Sequence, residues 1–159
     1  MLADKPITTT YAEAKELEQL AKAKGVVLYA FQNRRWDADY LTLKQVIKHG
    51  SLGNITDFET QLSFSPSPIS IDTLTPRSFD RYSKSIRKAW KATAAPGAGL
   101  IFDLGPHVID QALDLFGLPH KVTAFLQNLR GIGDEAVDDT VSVVTCDSKK
   151  RKANHFGFT

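Results

Sequence analysis

Val26-Val27-Leu28-Tyr29-Ala30-Phe31 is an uninterrupted apolar run that opens on two β-branched residues. A run this short, without polar alternation, predicts a buried strand of the kind found in parallel sheets. The residues before it keep a different period. Thr10-Tyr11-Ala12-Glu13 spells a capping box: the Thr10 hydroxyl can accept the Glu13 backbone N–H, and the Glu13 carboxylate can reach back. Leu17, Leu20 and Ala21 then recur at helical spacing and Gly25 suits the residue after a helix end, which predicts a helix over 11–24. A helix leading into a continuous apolar strand is the mark of a parallel α/β unit.

Downstream, Leu41, Leu43, Val46 and Ile47 give residues 39–49 one apolar helical face, closed by Gly50. Residues 54–64 alternate in part, through Ile55, Phe58 and Leu62, and read as a strand. Residues 65–76 hold three prolines among Ser and Thr and read as a loop. Residues 79–95 are basic and irregular, with a short helical stretch expected around 86–90. Gly97-Ala98-Gly99 then opens an apolar helix that runs to about Phe116 and stops at Gly117 and Pro119. Residues 121–129, 137–146 and 152–158 read as strands, with 147–150 as the hairpin loop between the last two. The order α, β, α, β, loop, α, β, β, β sets an α/β beginning before a mostly antiparallel α+β end.

Composition narrows the function. At 159 residues the chain is long enough for a real core. Twenty Lys and Arg against eighteen Asp and Glu leave +2, too small an excess to predict a nucleic-acid partner. The single cysteine, Cys146, excludes an internal disulfide framework and a cysteine-based zinc site, which fits a reducing, cytoplasmic setting. The longest apolar runs are far too short to span a bilayer, and Met1-Leu2-Ala3-Asp4-Lys5 has no signal core, so no membrane partner is expected.

The richest constellation is Gly97-Ala98-Gly99-Leu100-Ile101-Phe102-Asp103-Leu104-Gly105-Pro106-His107-Val108-Ile109-Asp110-Gln111-Ala112-Leu113-Asp114. Asp103, His107, Asp110 and Asp114 stand at i, i+4, i+7 and i+11, one polar stripe on a helix. An acid and an imidazole one turn apart suit proton transfer or the binding of a substrate hydroxyl. A solvated face with Asp103 as helix N-cap also accounts for the spacing and is the stronger reading on spacing alone. A metal is not expected, because no third ligand joins Asp103 and His107. Lys5 precedes Pro6, which biases it to extended backbone and lets it aim its ammonium into a cleft or out into solvent. Asn33, Arg34, Arg35 and Trp36 follow the 26–31 strand, where ligands of open α/β sheets are read, with Asp37 placed to cap the next helix. Gly97-Ala98-Gly99 and Gly131-Ile132-Gly133-Asp134-Glu135-Ala136 imitate a dinucleotide fingerprint. The first follows no strand; the second carries two acids that would repel a pyrophosphate.

At these residues the chain resembles the glucose–fructose oxidoreductase/inositol dehydrogenase/MocA family, and within it the bacterial and fungal sugar-type oxidoreductases. Asp4-Lys5-Pro6 resembles the family's Glu-Lys-Pro. The 11–20 helix, residues 31–37, Ser78-Phe79-Asp80-Arg81-Tyr82, the 97–117 block and Asp138-Asp139-Thr140 follow in family order. The resemblance implies an α+β chain: the end of a Rossmann-type dinucleotide-binding domain over 1–37, then an incomplete C-terminal α/β domain over 38–159 with an open, mostly antiparallel sheet that commonly forms a homo-oligomer interface. It implies hydride transfer between NAD(P) and a sugar or polyol. Lys5 and His107 would be the proton-transfer and substrate-oxygen groups, and Asp103 would orient them or bind a hydroxyl. Lys5, Pro6, Asn33, Arg34 and Trp36 would line the cofactor. The family's dinucleotide glycines lie upstream of its Lys-Pro motif, so weak NAD(P) binding is expected of this chain alone. A non-catalytic sugar-binding or assembly module on the same fold, or an inactive truncated product, would be the alternatives.

Overall fold

In the computed structural model, residues 1–62, 93–129, 133–147 and 152–158 are described. Helix α1 (Tyr11–Ala23) starts at the expected box: Thr10 Oγ1 accepts the Glu13 N–H at 3.2 Å, and Glu13 Oε2 accepts the Thr10 N–H at 3.0 Å. It connects two parallel strands, β1 (Leu2–Asp4) and β2 (Tyr29–Phe31), with Leu2 opposite Tyr29 and Asp4 opposite Phe31. Strand β1 carries no sequence signal, because three residues are too few to show a period.

The 26–31 run is a strand only over Tyr29–Phe31, and it is not buried: Val27 is 76% and Tyr29 59% exposed. Continuous apolar strands are covered when strands flank both edges and helices lie over both faces. Here the described neighbour is one three-residue strand, so the apolar surface of β2 stays open.

Residues Asn33–Trp36 then wind into a 3-10 turn, and α2 (Ala38–Lys48) follows from Asp37. Asp37 stands at the N-cap position without capping: its Oδ2 meets Arg34 Nη1 at 3.1 Å instead. A guanidinium three residues away outcompetes a neutral N–H for the carboxylate.

The second sheet has the order β3-β6-β5-β4, formed by β3 (Asp57–Leu62), β4 (Lys121–Gln127), β5 (Thr140–Asp147) and β6 (Lys152–Phe158). Strands β4 and β5 and strands β5 and β6 pair antiparallel, while β3 and β6 pair parallel. This is the mostly antiparallel open sheet expected. The 65–76 loop, the basic stretch through residue 92, Ser78 to Tyr82, Gly131-Ile132 and the hairpin residues 148–150 lie outside the described residues.

The expected single helix over 97–116 is two: α3 (Leu100–Asp103) and α4 (Gly105–Phe116), broken at Leu104. Pro106 is the reason. Its nitrogen has no hydrogen to donate and its ring collides with the turn before it, so the helix restarts with proline in its first turn. Asp103 therefore ends α3 and does not cap α4, whose N-cap is Leu104. Leu100, Leu104, Val108 and Ala112 pack on Val141 and Val143 of β5, and Phe58 and Ile101 close the cluster. Burying each Leu or Val there contributes about 1.5–3 kcal/mol. The Phe58 and Phe116 rings meet at 5.0 Å, which anchors β3 to the far end of α4. No helix among the described residues is long and apolar enough to cross a membrane.

Candidate functional site

Strands β1 and β2 run parallel and end together, so Lys5, just past Asp4, lies beside Gln32, just past Phe31. The carboxyl end of parallel strands is where α/β sheets bind ligands. The break between α3 and α4 is brought to this place. Lys5 Nζ donates to the Asp103 carbonyl oxygen, 98 residues away in the chain. The Lys5–Pro6 bond there is cis.

His107 stands in the first turn of α4, only 8% exposed, and its Nδ1 is buried without a hydrogen-bond partner among the described residues. Burial pushes its pKa down, and the Lys5 ammonium and Arg34 guanidinium push it further. Asp103 and Asp37 oppose them weakly, and the balance is about 4. At neutral pH the ring is uncharged, so one of its nitrogens can accept a hydrogen bond from a hydroxyl. The three residues expected to work together are thus brought together, with one change: Lys5 is held by the backbone carbonyl of Asp103.

The residues after β2 divide. Arg34 is half-buried, near enough to act on His107, and its carbonyl accepts Gln111 Nε2–H at 2.8 Å. Asn33, Trp36 and Pro6 are exposed. Arg35, placed by the sequence where a ligand would be read, instead grips Asp110 through two bonds of 2.7 and 2.8 Å. Asp114 accepts from Tyr40 Oη at 2.6 Å and from Lys44 Nζ at 2.8 Å. The polar stripe is therefore neither one helix face nor a solvated one. Its acidic half ties α4 to α2 and the 3-10 turn, and its imidazole feels the charge of Lys5. Burial and the Asp114 carboxylate push the Tyr40 phenol up, while Lys44 and Tyr40 hold Asp114 down.

Sequence reasoning missed Tyr40. Tyr40 looks like any aromatic in a helix's first turn, and only a paired acid distant in sequence gives it meaning. Asp138 supplies a further support: its Oδ2 accepts the Ile101 N–H at 2.8 Å and its carbonyl accepts the Leu100 N–H at 3.0 Å, which caps α3 from the entry to β5. Among the described residues no group of three His, Cys, Asp or Glu could hold a metal ion. A separate apolar groove at the far end of α4, lined by Leu113, Leu118, Pro119 and Val122, offers only Thr145 as a polar side chain and touches none of these residues.

The GFO/IDH/MocA C-terminal domain matches residues 40–151. The chain belongs to this family. An uncharacterized oxidoreductase of Schizosaccharomyces pombe is 42% identical over 144 residues, covering 91% of this chain and 34% of that protein. The scyllo-inositol 2-dehydrogenase (NADP(+)) IolW of Bacillus subtilis is 36% identical over 124 residues, covering 78% and 30%. The crystal structure of an oxidoreductase from Bacillus cereus superposes with a TM-score of 0.76 at 29% identity, covering 100% of this chain and 46% of that one. The chain spans about a third of the length of the curated relatives it matches.

The low His107 pKa has a consequence for this GFO/IDH/MocA chain that can be measured. Between the ordinary value of 6.5 and about 4, the unfolded chain binds a proton that the folded chain refuses. Folding stability therefore falls as pH drops through that window, with a slope from this group of up to about 1.4 kcal/mol per pH unit. Urea denaturation from pH 7 to pH 4 is expected to show a steeper loss for the native chain than for His107→Gln, which has nothing to protonate. Equal slopes would mean the ring is solvated.

Proposed function

We propose that the chain is the C-terminal portion of an NAD(P)-dependent oxidoreductase that moves a hydride between the cofactor and a carbon of a sugar or polyol. Residues 1–37 belong to its dinucleotide-binding domain and residues 38–159 to its substrate and oligomerisation domain. The observation that carries the reading is the bond of Lys5 to the Asp103 backbone at the carboxyl end of two parallel strands, beside a buried His107 whose Nδ1 has no partner among the described residues.

An orphaned imidazole nitrogen beside an ammonium fits a hydroxyl next to a hydride acceptor, which is what the nicotinamide ring supplies when bound. As hydride leaves carbon, a proton leaves the attached oxygen, and a group must stand at that oxygen to receive it. His107 accepts the substrate hydroxyl's hydrogen bond, and then its proton as the hydride leaves, because its ring is neutral. Lys5, positioned by the Asp103 carbonyl, places positive charge where the oxygen gains negative charge. Burial, with Lys5 and Arg34 adding to it, keeps His107 unprotonated at rest, and Asp103 orients the pair. Asn33, Trp36 and Pro6 rim the cofactor side of the cleft.

The test is a chimera in which this chain replaces the corresponding segment of IolW. It is expected to reduce NADP+ with a member of a polyol and sugar panel. A folded chimera inert toward the whole panel would overturn the reading. The chain alone is expected to bind NAD(P) at millimolar strength or weaker, because it reads no glycine turn paired with a helix N-terminus for the pyrophosphate. Calorimetry giving micromolar affinity would contradict that. The sheet face turned from α4, where Phe125 of β4 is 57% exposed opposite Ser142, is the proposed surface for a second copy of the chain. Light scattering is expected to report a dimer that Phe125→Glu converts to monomer.

A further inference from the structure

Among the described residues, two buried side-chain atoms have no hydrogen-bond partner: His107 Nδ1 and Gln32 Oε1. His107 belongs to the site already described. Gln32 does not, and no part of the reading above uses it. We propose that Gln32 is a ligand-binding residue of the same site, its carboxamide oxygen accepting a hydrogen bond from an N–H or O–H of the bound molecule. The proposal rests on the functional reading of Lys5 and His107.

Three observations converge. Parallel pairing sets Asp4 against Phe31, so the next residue of each strand, Lys5 and Gln32, leave the sheet side by side. Arg34 and Arg35, two and three residues on, bond Gln111 and Asp110 of α4, so the turn that Gln32 opens is fastened to the helix that carries His107. A buried acceptor left unpaired costs stability in the ligand-free chain, since its water is gone and nothing replaces it. The fold leaves one such atom on the turn after β2 and one on α4, the helix that the same turn is bonded to. That is what a site looks like when the missing partners arrive with a ligand. A carboxamide is uncharged and needs a donor opposite its oxygen. Two groups in the proposed reaction supply one: the amide of a nicotinamide ring and a hydroxyl of a polyol.

The experiment is nuclear magnetic resonance on the full chain, following the Gln32 side-chain amide and the His107 imidazole. One titration uses 1-methylnicotinamide, which has an amide donor and no hydroxyl. The other uses myo-inositol, which has hydroxyls and no amide. One of the two is expected to move both signals saturably, and which one does so identifies the source of the donor. Gln32→Met, similar in volume and without the acceptor, is expected to weaken that probe about fivefold while leaving the thermal midpoint unchanged or higher. If His107 responds and Gln32 does not, or if Gln32→Met binds the probe as tightly as the native chain, the Gln32 assignment falls and the functional reading stands. A lower thermal midpoint for Gln32→Met makes the residue structural and overturns the assignment too. If neither probe moves His107, both fall together.

Discussion

His107→Ala, made in the IolW chimera, is expected to lower turnover by a factor on the order of 100 or more, the usual scale for a lost acid–base group. The expectation follows from where the ring is and what it lacks. It is 8% exposed, so water cannot replace it freely, and its Nδ1 has no partner among the described residues, so removing it breaks no described tie at that atom. The loss should therefore fall on turnover more than on folding. His107→Gln keeps a hydrogen-bonding side chain in the same place but cannot carry a proton at neutral pH. If proton transfer is the role, His107→Gln is expected to be nearly as slow as the alanine variant. If the ring only binds a hydroxyl, the glutamine variant should recover most of the rate, with the change appearing in KM. Unchanged turnover in His107→Ala would return the residue to the core and end the catalytic reading.

Gly99→Ala is expected to cost folding stability more than any other glycine-to-alanine change in the described chain. Gly99 has φ +94° and ψ 170°, a backbone region that only glycine occupies without strain. A Cβ there would lie 2.0 Å from Asp138 Oδ1 and 2.8 Å from Asp138 Cγ. Either the entry to α3 shifts, or Asp138 releases the Ile101 N–H it holds at 2.8 Å. Backbone strain of about 1–3 kcal/mol and a lost helix cap of about 0.5–2 kcal/mol are large against a total stability of about 5–15 kcal/mol. Gly25 is the control: it also has positive φ, +64°, but a Cβ there meets nothing within 4 Å. Gly25→Ala is expected to cost about 1 kcal/mol by urea denaturation, and Gly99→Ala two to four times that. Adding Asp138→Ala to Gly99→Ala should cost less than the sum, because the collision disappears with the carboxylate. Equal costs at Gly25 and Gly99 would refute the account. The effect also reaches the site: α3 ends on Asp103, whose carbonyl holds Lys5.

Local chemistry alone determined much of this chain. Thr10 and Glu13 set the start of α1 because both partners of the capping box lie within one turn. The strands at β4, β5 and β6 were legible as apolar stretches between turn residues, and the short loop at 147–150 made the last two a hairpin, which the antiparallel β5–β6 pairing matches. Gly50 and Gly117 end helices where the spacing said they would, and Lys5, Asp103 and His107 stood out as chemical types in a readable order. What the tertiary structure decided is everything that depends on which distant group arrives. Helical spacing put Asp103, His107, Asp110 and Asp114 on one stripe, and the fold split it: Arg35, Tyr40 and Lys44 took the acids, and Lys5 reached the Asp103 backbone. Nothing within a turn of Asp110 signals Arg35, 75 residues earlier. The apolar run at 26–31 states that it belongs in a sheet, but burial depends on the strands beside it and the layers over it, and β2 has one described neighbour. Gln32 is mute in sequence for the same reason. An unpaired acceptor is defined by the absence of a partner in three dimensions, and periodicity carries no trace of that.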